Sequence, residues 1–140
     1  MKGVLVDTNV LLALAWPNHQ HHAQAHGWFA AQATKGWATC AFTQLGFIRL
    51  SSNPAYTASA VSPQEAATLL RQWTRLKSHR FWASPAADDP ALYACAIGHQ
   101  QVNDAWLVEV ARRNSGRLVT LDRRLAVHAS ETGVVEVIKT

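Results

Sequence analysis

The apolar positions of the chain fall into short unbroken runs separated by longer amphipathic stretches, and the alternation predicts the elements. Gly3 to Val6 is an apolar, β-branched run ending at Asp7, the pattern of a strand buried on both faces. Asn9 to Ala15 then predicts a helix stopped by Pro17. A second helix is expected from about His19 to Ala33, with Ala25, Trp28, Phe29 and Gln32 on one side. Gly36 to Ala41 predicts another strand, followed by a helix that starts near Thr43 and ends before Pro54. Ser62-Pro63-Gln64-Glu65 is a helix start with Ser as N-cap, Pro in the first turn and Glu closing a capping box. Ala66, Leu69, Leu70, Trp73 and Leu76 form the expected buried stripe of that helix. A short strand is predicted near Arg80 to Ala83, and Asp89-Pro90 opens another helix. Asn103 and Asp104 begin a further one, with Leu107, Val110 and Ala111 inward and Gly116 as its stop. Arg117 to Leu121 reads as a strand ending at Asp122, and Val134 to Ile138 as the last strand. Strands alternating with helices imply a three-layer α/β/α fold around a central, mostly parallel sheet. Without a repeat or linker, residues 1–140 are expected to form a single domain.

Composition narrows the class. Of 140 residues, 49% are hydrophobic and 16% charged, which excludes disorder as the main state. Cys40 and Cys95 are too few for a disulfide scaffold and lack metal-ligand spacing, so two reduced thiols are expected. Val10 to Trp16 is far shorter than the roughly 20 apolar residues of a membrane span. It also follows directly on Asp7, Thr8 and Asn9, unlike a secretory signal. The expectation is a soluble, cytoplasmic protein with no membrane association. Thirteen Lys and Arg against nine Asp and Glu give +4, a balance that favours polyanionic partners without specifying one.

With nine acidic residues, placement is informative. Asp7 and Asp122 each follow directly on an apolar strand, where the carboxyl ends of a parallel sheet border a ligand crevice. Asp104 sits at a helix start, favoured by the dipole and free backbone N–H groups. Each placement has a structural explanation alone. Three carboxylates converging at one end of a sheet repel one another, and a hard divalent cation such as Mg²⁺ or Mn²⁺ offsets that repulsion through oxygen ligands. The histidines offer a different chemistry: His22 and His26 have the i, i+4 spacing of a zinc pair on a helix. Two ligands do not close a site, and no Cys or Glu accompanies them at ligand spacing. The six tryptophans serve core or interface, with Trp16 and Trp28 as candidates for a dimer or partner surface.

Leu5-Val6-Asp7-Thr8-Asn9-Val10-Leu11-Leu12 resembles the opening of a PIN domain, whose first acidic residue ends the first strand. Val102-Asn103-Asp104-Ala105-Trp106-Leu107 resembles its third acidic motif, and Leu118-Val119-Thr120-Leu121-Asp122-Arg123-Arg124 its fourth. Trp16-Pro17-Asn18-His19 with His22 and Trp28, and Thr43-Gln44-Leu45-Gly46-Phe47-Ile48-Arg49-Leu50 with Asn53-Pro54, resemble the VapC toxins of type II toxin–antitoxin pairs. The resemblance implies a metal-dependent endoribonuclease held inactive by a cognate VapB-like antitoxin, and a homodimer. By carry-over, Asp7 and Asp104 are the principal Mg²⁺ ligands and Asp122 a ligand directly or through water, with Mn²⁺ a possible substitute. The metal would polarise the phosphate, generate a hydroxide-like nucleophile and stabilise the leaving oxygen. Thr8, Asn9 and Thr43 would orient ligands or water, Thr8 and Asn9 alongside turn and cap chemistry.

Gln44 departs from the family pattern, standing where most PIN domains carry a second acidic Glu. Its amide oxygen can ligate a metal or bond its water but brings no charge. Asp88 or Asp89 could substitute in space, against a loop role and an N-cap before Pro90. The alternative function is therefore a catalytically weakened PIN-like module that binds RNA or a partner. A phosphoacceptor domain ranks behind both, because Asp7 has no acidic neighbour and Lys139 is nearly the last residue.

Overall fold

The three residues of β1 (Val4–Val6) are all buried, yet they divide between two separate cores. Val4 and Val6 join a cluster with Val10, Leu12, Phe47 and Leu70, whereas Leu5 joins Cys40, Leu107, Val110, Ala111 and Leu118. Successive side chains of a strand face opposite sides, so this division puts β1 in the middle of three layers. The computed structural model describes residues 3–125 and 133–140. In it β2 (Trp37–Thr39), β3 (His79–Phe81), β4 (Arg117–Thr120) and β5 (Val135–Val137) complete a sheet of order β3-β2-β1-β4-β5. All four pairings are parallel, so the sheet, expected to be mostly parallel, is parallel throughout. Val4 pairs with Arg117 and Val6 with Val119, which sets the ends of β1 and β4 side by side.

On the Val4 and Val6 face lie α1 (Thr8–Ala15), α2 (His22–Gln32), α3 (Ala41–Ser51) and α4 (Pro63–Thr74); α5 (Val102–Arg113) covers the other. Five consecutive residues of α1, Val10 to Leu14, are buried. A helix covered on all sides has no polar stripe to show, which is why its sequence is apolar from Val10 onward. It ends at Trp16, extended ahead of Pro17. Its last carbonyls are then capped from α2: His22 Nδ1 lies 2.7 Å from Ala13 O and His26 Nε2 lies 2.9 Å from Leu14 O. A carbonyl only accepts, so each of these nitrogens carries its proton and satisfies one of the free carbonyls at the helix end.

Several expectations shift locally. The second helix begins at His22, because His19 to His21 form a turn whose His19 Nδ1 accepts from His21 N. Asp89-Pro90 opens only a 3₁₀ turn, Pro90–Tyr93, with Asp89 accepting from Ala91 N at 3.0 Å. Ser62 and Glu65 form the expected capping box, but Leu76 lies past the end of α4 and is exposed. None of the exposed large apolar side chains is a tryptophan among the described residues. Trp16 Nε1 donates to Ser51 Oγ and Trp28 Nε1 to Glu136 Oε2, both at 2.9 Å. These two bonds tie the end of α1 to α3 and α2 to β5, and both indoles remain partly exposed.

At the lower edge of the sheet the chain enters β4 through Gly116, against Gly3 and Trp82. A Cβ on Gly116 would overlap the Gly3 carbonyl oxygen and stand 2.7 Å from the Trp82 ring. Gly116→Ala is therefore expected to destabilise the protein by about 1–3 kcal/mol through overpacking. Urea unfolding checks it, and an unchanged midpoint would show that Gly3 and Trp82 can yield.

Candidate active site

β1 delivers Asp7 directly onto the first turn of α1, where it is the N-cap: its Oδ1 accepts from Thr8 N at 2.7 Å. Its Oδ2 accepts from Thr120 Oγ1 at 2.8 Å, across the neighbouring strand β4. Both donors are neutral, and the residue is only 9% exposed. Burial pushes the Asp7 carboxyl up to about 6. The hydrogen bonds from Thr120 and Thr8 pull the other way, and the negative charges of Asp104 and Asp122 add to the rise. The three carboxylates singled out from the sequence thus share one electrostatic site, at the carboxyl ends of β1 and β4.

Asp104 reaches it from the third position of α5, in the first turn rather than at the cap, which is Gln101. Asp122 follows β4 and is engaged by Arg124, whose Nη2 lies 2.9 Å from Oδ2 and whose Nε lies 3.1 Å from Oδ1. This hydrogen-bonded pairing holds the Asp122 carboxyl below its ordinary range. The guanidinium also feels Asp104, so it acts as the resident counter-charge of the cluster.

The supporting residues differ in what they do. Asn9 donates from Nδ2 to Thr120 Oγ1 at 3.1 Å and accepts at Oδ1 from Leu121 N at 3.1 Å. It therefore holds the exit of β4 in place, and Asp122 N closes the same knot on Thr120 Oγ1 at 3.1 Å. Thr120 is the hub of this network and was not singled out from the sequence; the signal was a polar residue ending an otherwise apolar strand two positions before Asp122. Arg124 was missed as well, though it stands two residues from Asp122. Thr8 touches Asp7 through its backbone only. Its side chain packs on α3, where a Cβ at Gly46 would come within 2.7 Å of Thr8 Oγ1.

Thr43 and Gln44 are engaged in contacts of their own in the free protein. Thr43 is buried and caps α3: its Oγ1 accepts from Cys40 N and donates to Cys40 O, each at 3.1 Å. These contacts anchor the start of α3, and Thr43 meets Thr8 through its own carbonyl. Gln44 Nε2 donates to Thr39 Oγ1 at 2.9 Å, and that hydroxyl lies 2.8 Å from His79 Nε2. The amide thus stands in a neutral relay between β2 and β3, where burial lowers the His79 pKa. Asp89 is committed to its 3₁₀ turn, and Asp88 is exposed.

The donor set suits a hard divalent cation. A buried carboxylate with raised pKa, neutral hydrogen-bond donors and two like charges nearby is relieved by a proton below about pH 6 and by a cation above it. Among the described residues no three His, Cys, Asp or Glu side chains already stand close enough to enclose an ion. In this arrangement the Asp122 carboxylate is paired with Arg124.

A central parallel sheet with acidic residues at the ends of adjacent strands, on a buried N-cap, defines a PIN-type nuclease core. The PIN domain model matches residues 4–131. The ribonuclease VapC39 of Mycobacterium tuberculosis is 42% identical, the match covering 96% of this chain and 98% of that protein. VapC38 of the same organism is 45% identical over 84% of each chain. Among solved structures, the M. tuberculosis VapC20 toxin, described as cleaving the sarcin–ricin loop, superposes with a TM-score of 0.68 at 18% identity, over 98% of this chain and all of its own. A protein from Pyrobaculum aerophilum gives 0.61 at 25% identity, over 97% and 84%. This chain belongs to the VapC ribonuclease family of PIN domains.

The Asp7 carboxyl fixes the pH response of the metal-free protein. Its folded value, about 6, lies above the ordinary 3.8, so the acid form is favoured by folding. Stability is full below about pH 4 and is lost as pH rises through about 6, by on the order of 3 kcal/mol. In EDTA, Asp7→Asn should abolish this part of the loss. Parallel stability–pH curves for wild type and variant would refute the burial assignment.

Proposed function

We propose that the chain is a metal-dependent endoribonuclease that hydrolyses RNA phosphodiester bonds as the toxin of a type II toxin–antitoxin pair. The observation that carries this reading is the convergence of Asp7, Asp104 and Asp122 at the carboxyl end of the sheet, where burial, with a smaller contribution from the other two charges, raises the Asp7 carboxyl to about 6. The curated relatives, ribonucleases by name, support the same chemistry. Asp7 and Asp104 would hold Mg²⁺, with Mn²⁺ as a substitute, and Asp122 would join directly or through water once released by Arg124. A divalent ion bound there supplies charge neutralisation of the scissile phosphate and activation of water for attack. The chain's own groups supply position. Thr8 N and Thr120 Oγ1 fix both oxygens of Asp7, and Asn9 fixes Thr120 and the turn that carries Asp122. Displaced from Asp122, the Arg124 guanidinium stands where it can meet the phosphate of the bound RNA.

The whole chain, 1–140, is proposed to act as one PIN domain, as a cytoplasmic homodimer restrained by a VapB-like antitoxin. No helix among the described residues is long and apolar enough to cross a membrane. The VapC relationship supports the pairing.

Asp7→Asn and Asp104→Asn should each reduce Mg²⁺-dependent cleavage of RNA by at least a hundredfold while preserving the far-ultraviolet circular dichroism spectrum. EDTA should abolish the wild-type activity. Full cleavage by folded Asp7→Asn would overturn the site, and RNA binding without cleavage by the wild type would favour the binding-module alternative.

Arg124→Ala removes the counter-charge from Asp122 without altering any carboxylate. Calorimetric titration with Mn²⁺ in the absence of RNA should show severalfold tighter binding in the variant. Equal affinities would exclude Asp122 as a ligand.

A further inference from the structure

The end of the sheet opposite the carboxylates carries a cavity of about 620 Å³. It opens where the chain enters β1, β2 and β3, with Gly3, Gly36 and Ser78 along its floor. Three cations line it, Lys35, Lys77 and Arg80, together with the half-buried indole of Trp82. The described residues around it include no carboxylate. Arg80 is anchored, its Nη1 donating to the carbonyls of Lys77 and His79 at 2.9 Å each. A guanidinium held this way presents a fixed charge rather than a mobile one. The volume lies in the range of cavities that hold nucleotide-sized ligands.

We infer that this cavity is a second contact for the RNA, binding the phosphodiester backbone of the same strand that is cut at the opposite end of the sheet. The inference rests on the ribonuclease reading proposed above. Its chemistry is that of sequence-tolerant single-strand binding: unopposed lysine and arginine for phosphates, an aromatic wall for a base, and glycine backbone that permits close approach. The need for it is electrostatic. Three carboxylates make the cleaving end repulsive to phosphate until a cation is bound, so attraction has to come from elsewhere on the surface. The strands are three to four residues long. At about 3.3 Å per residue the two ends lie roughly 10–13 Å apart, within reach of an RNA of modest length.

The test uses the full chain and a fluorescein-labelled single-stranded RNA of twenty random nucleotides, with binding measured by anisotropy in EDTA at several salt concentrations. Lys35→Gln/Lys77→Gln should weaken binding about tenfold at low salt. It should also flatten the slope of log Kd against log salt by about 1.4, near 0.7 for each phosphate that is no longer neutralised. Arg49→Gln, which removes a charge outside the cavity, should change neither by more than a small fraction of this. In Mg²⁺ the double variant should cleave the same RNA with raised KM and unchanged kcat. Wild-type affinity and slope in the double variant, or an equal loss in Arg49→Gln, would overturn the inference. So would competition by poly-glutamate as strong as that by unlabelled RNA, which would assign the cavity to an acidic peptide. If wild type fails to cleave any RNA in Mg²⁺, the ribonuclease reading itself fails, an outcome distinct from a cleaving enzyme indifferent to Lys35 and Lys77.

Discussion

A carboxylate held out of water at the junction of β1 and α1 is the constraint to which the rest of this structure answers. Asp7 has to serve two incompatible demands. As an N-cap it is well placed, because it accepts from Thr8 N and faces the positive end of a helix dipole. As a charge it is costly, because burial outweighs those favourable contacts and raises its pKa. The conflict is settled geometrically: Thr120 Oγ1 donates to the second carboxylate oxygen, and Asn9 holds that hydroxyl in place, so the carboxylate cannot turn away. What remains unsatisfied is the charge itself, and that remnant of unfavourable energy is available to bind a divalent cation.

The parallel topology distributes charge along one axis. All strands point the same way, so every β-to-α exit lies at one end and every α-to-β return at the other. Asp7 and Asp122 stand at exits, and Asp104 joins them because α5 begins at that end. Lys35, Lys77 and Arg80 stand at returns into β2 and β3. The molecule is therefore acidic at the end where Asp7, Asp104 and Asp122 gather and basic at the other, and its net charge of +4 conceals this separation. Arg124 is the local exception, a cation within the acidic end, paired to Asp122 over two residues of sequence separation.

Much of this was legible in advance because it depends on local rules. The run before Asp7, the Ser62-Pro63-Gln64-Glu65 start and the inward set Leu107, Val110 and Ala111 each obey a periodicity or capping rule that tertiary structure did not override. Less legible were the contacts of short polar side chains that have several partners within reach. Thr43 could serve a ligand or the first turn of its own helix, and the nearer partner, Cys40, took it. Gln44 occupies the position aligned with an acidic residue, but its amide bonds to Thr39, a residue five positions away in sequence and on a different element. The part played by His22 and His26, capping the last carbonyls of α1 from a different helix, was likewise not readable from their spacing.

By itself, then, the sequence determined the alternation of strands and helices, the acidic residues that end β1 and follow β4, and the family to which such a pattern belongs. These follow from burial periodicity and from capping, both of which act within a few residues. Tertiary structure alone decided the strand order, the meeting of Thr120 with Asp7 across 113 positions, and the cavity that gathers Lys35, Lys77 and Arg80. The reason is physical. A hydrogen bond or a cation cluster formed between distant segments depends on which strands lie side by side, and strand adjacency is set by packing the two faces of the sheet, for which no single stretch of sequence holds the information.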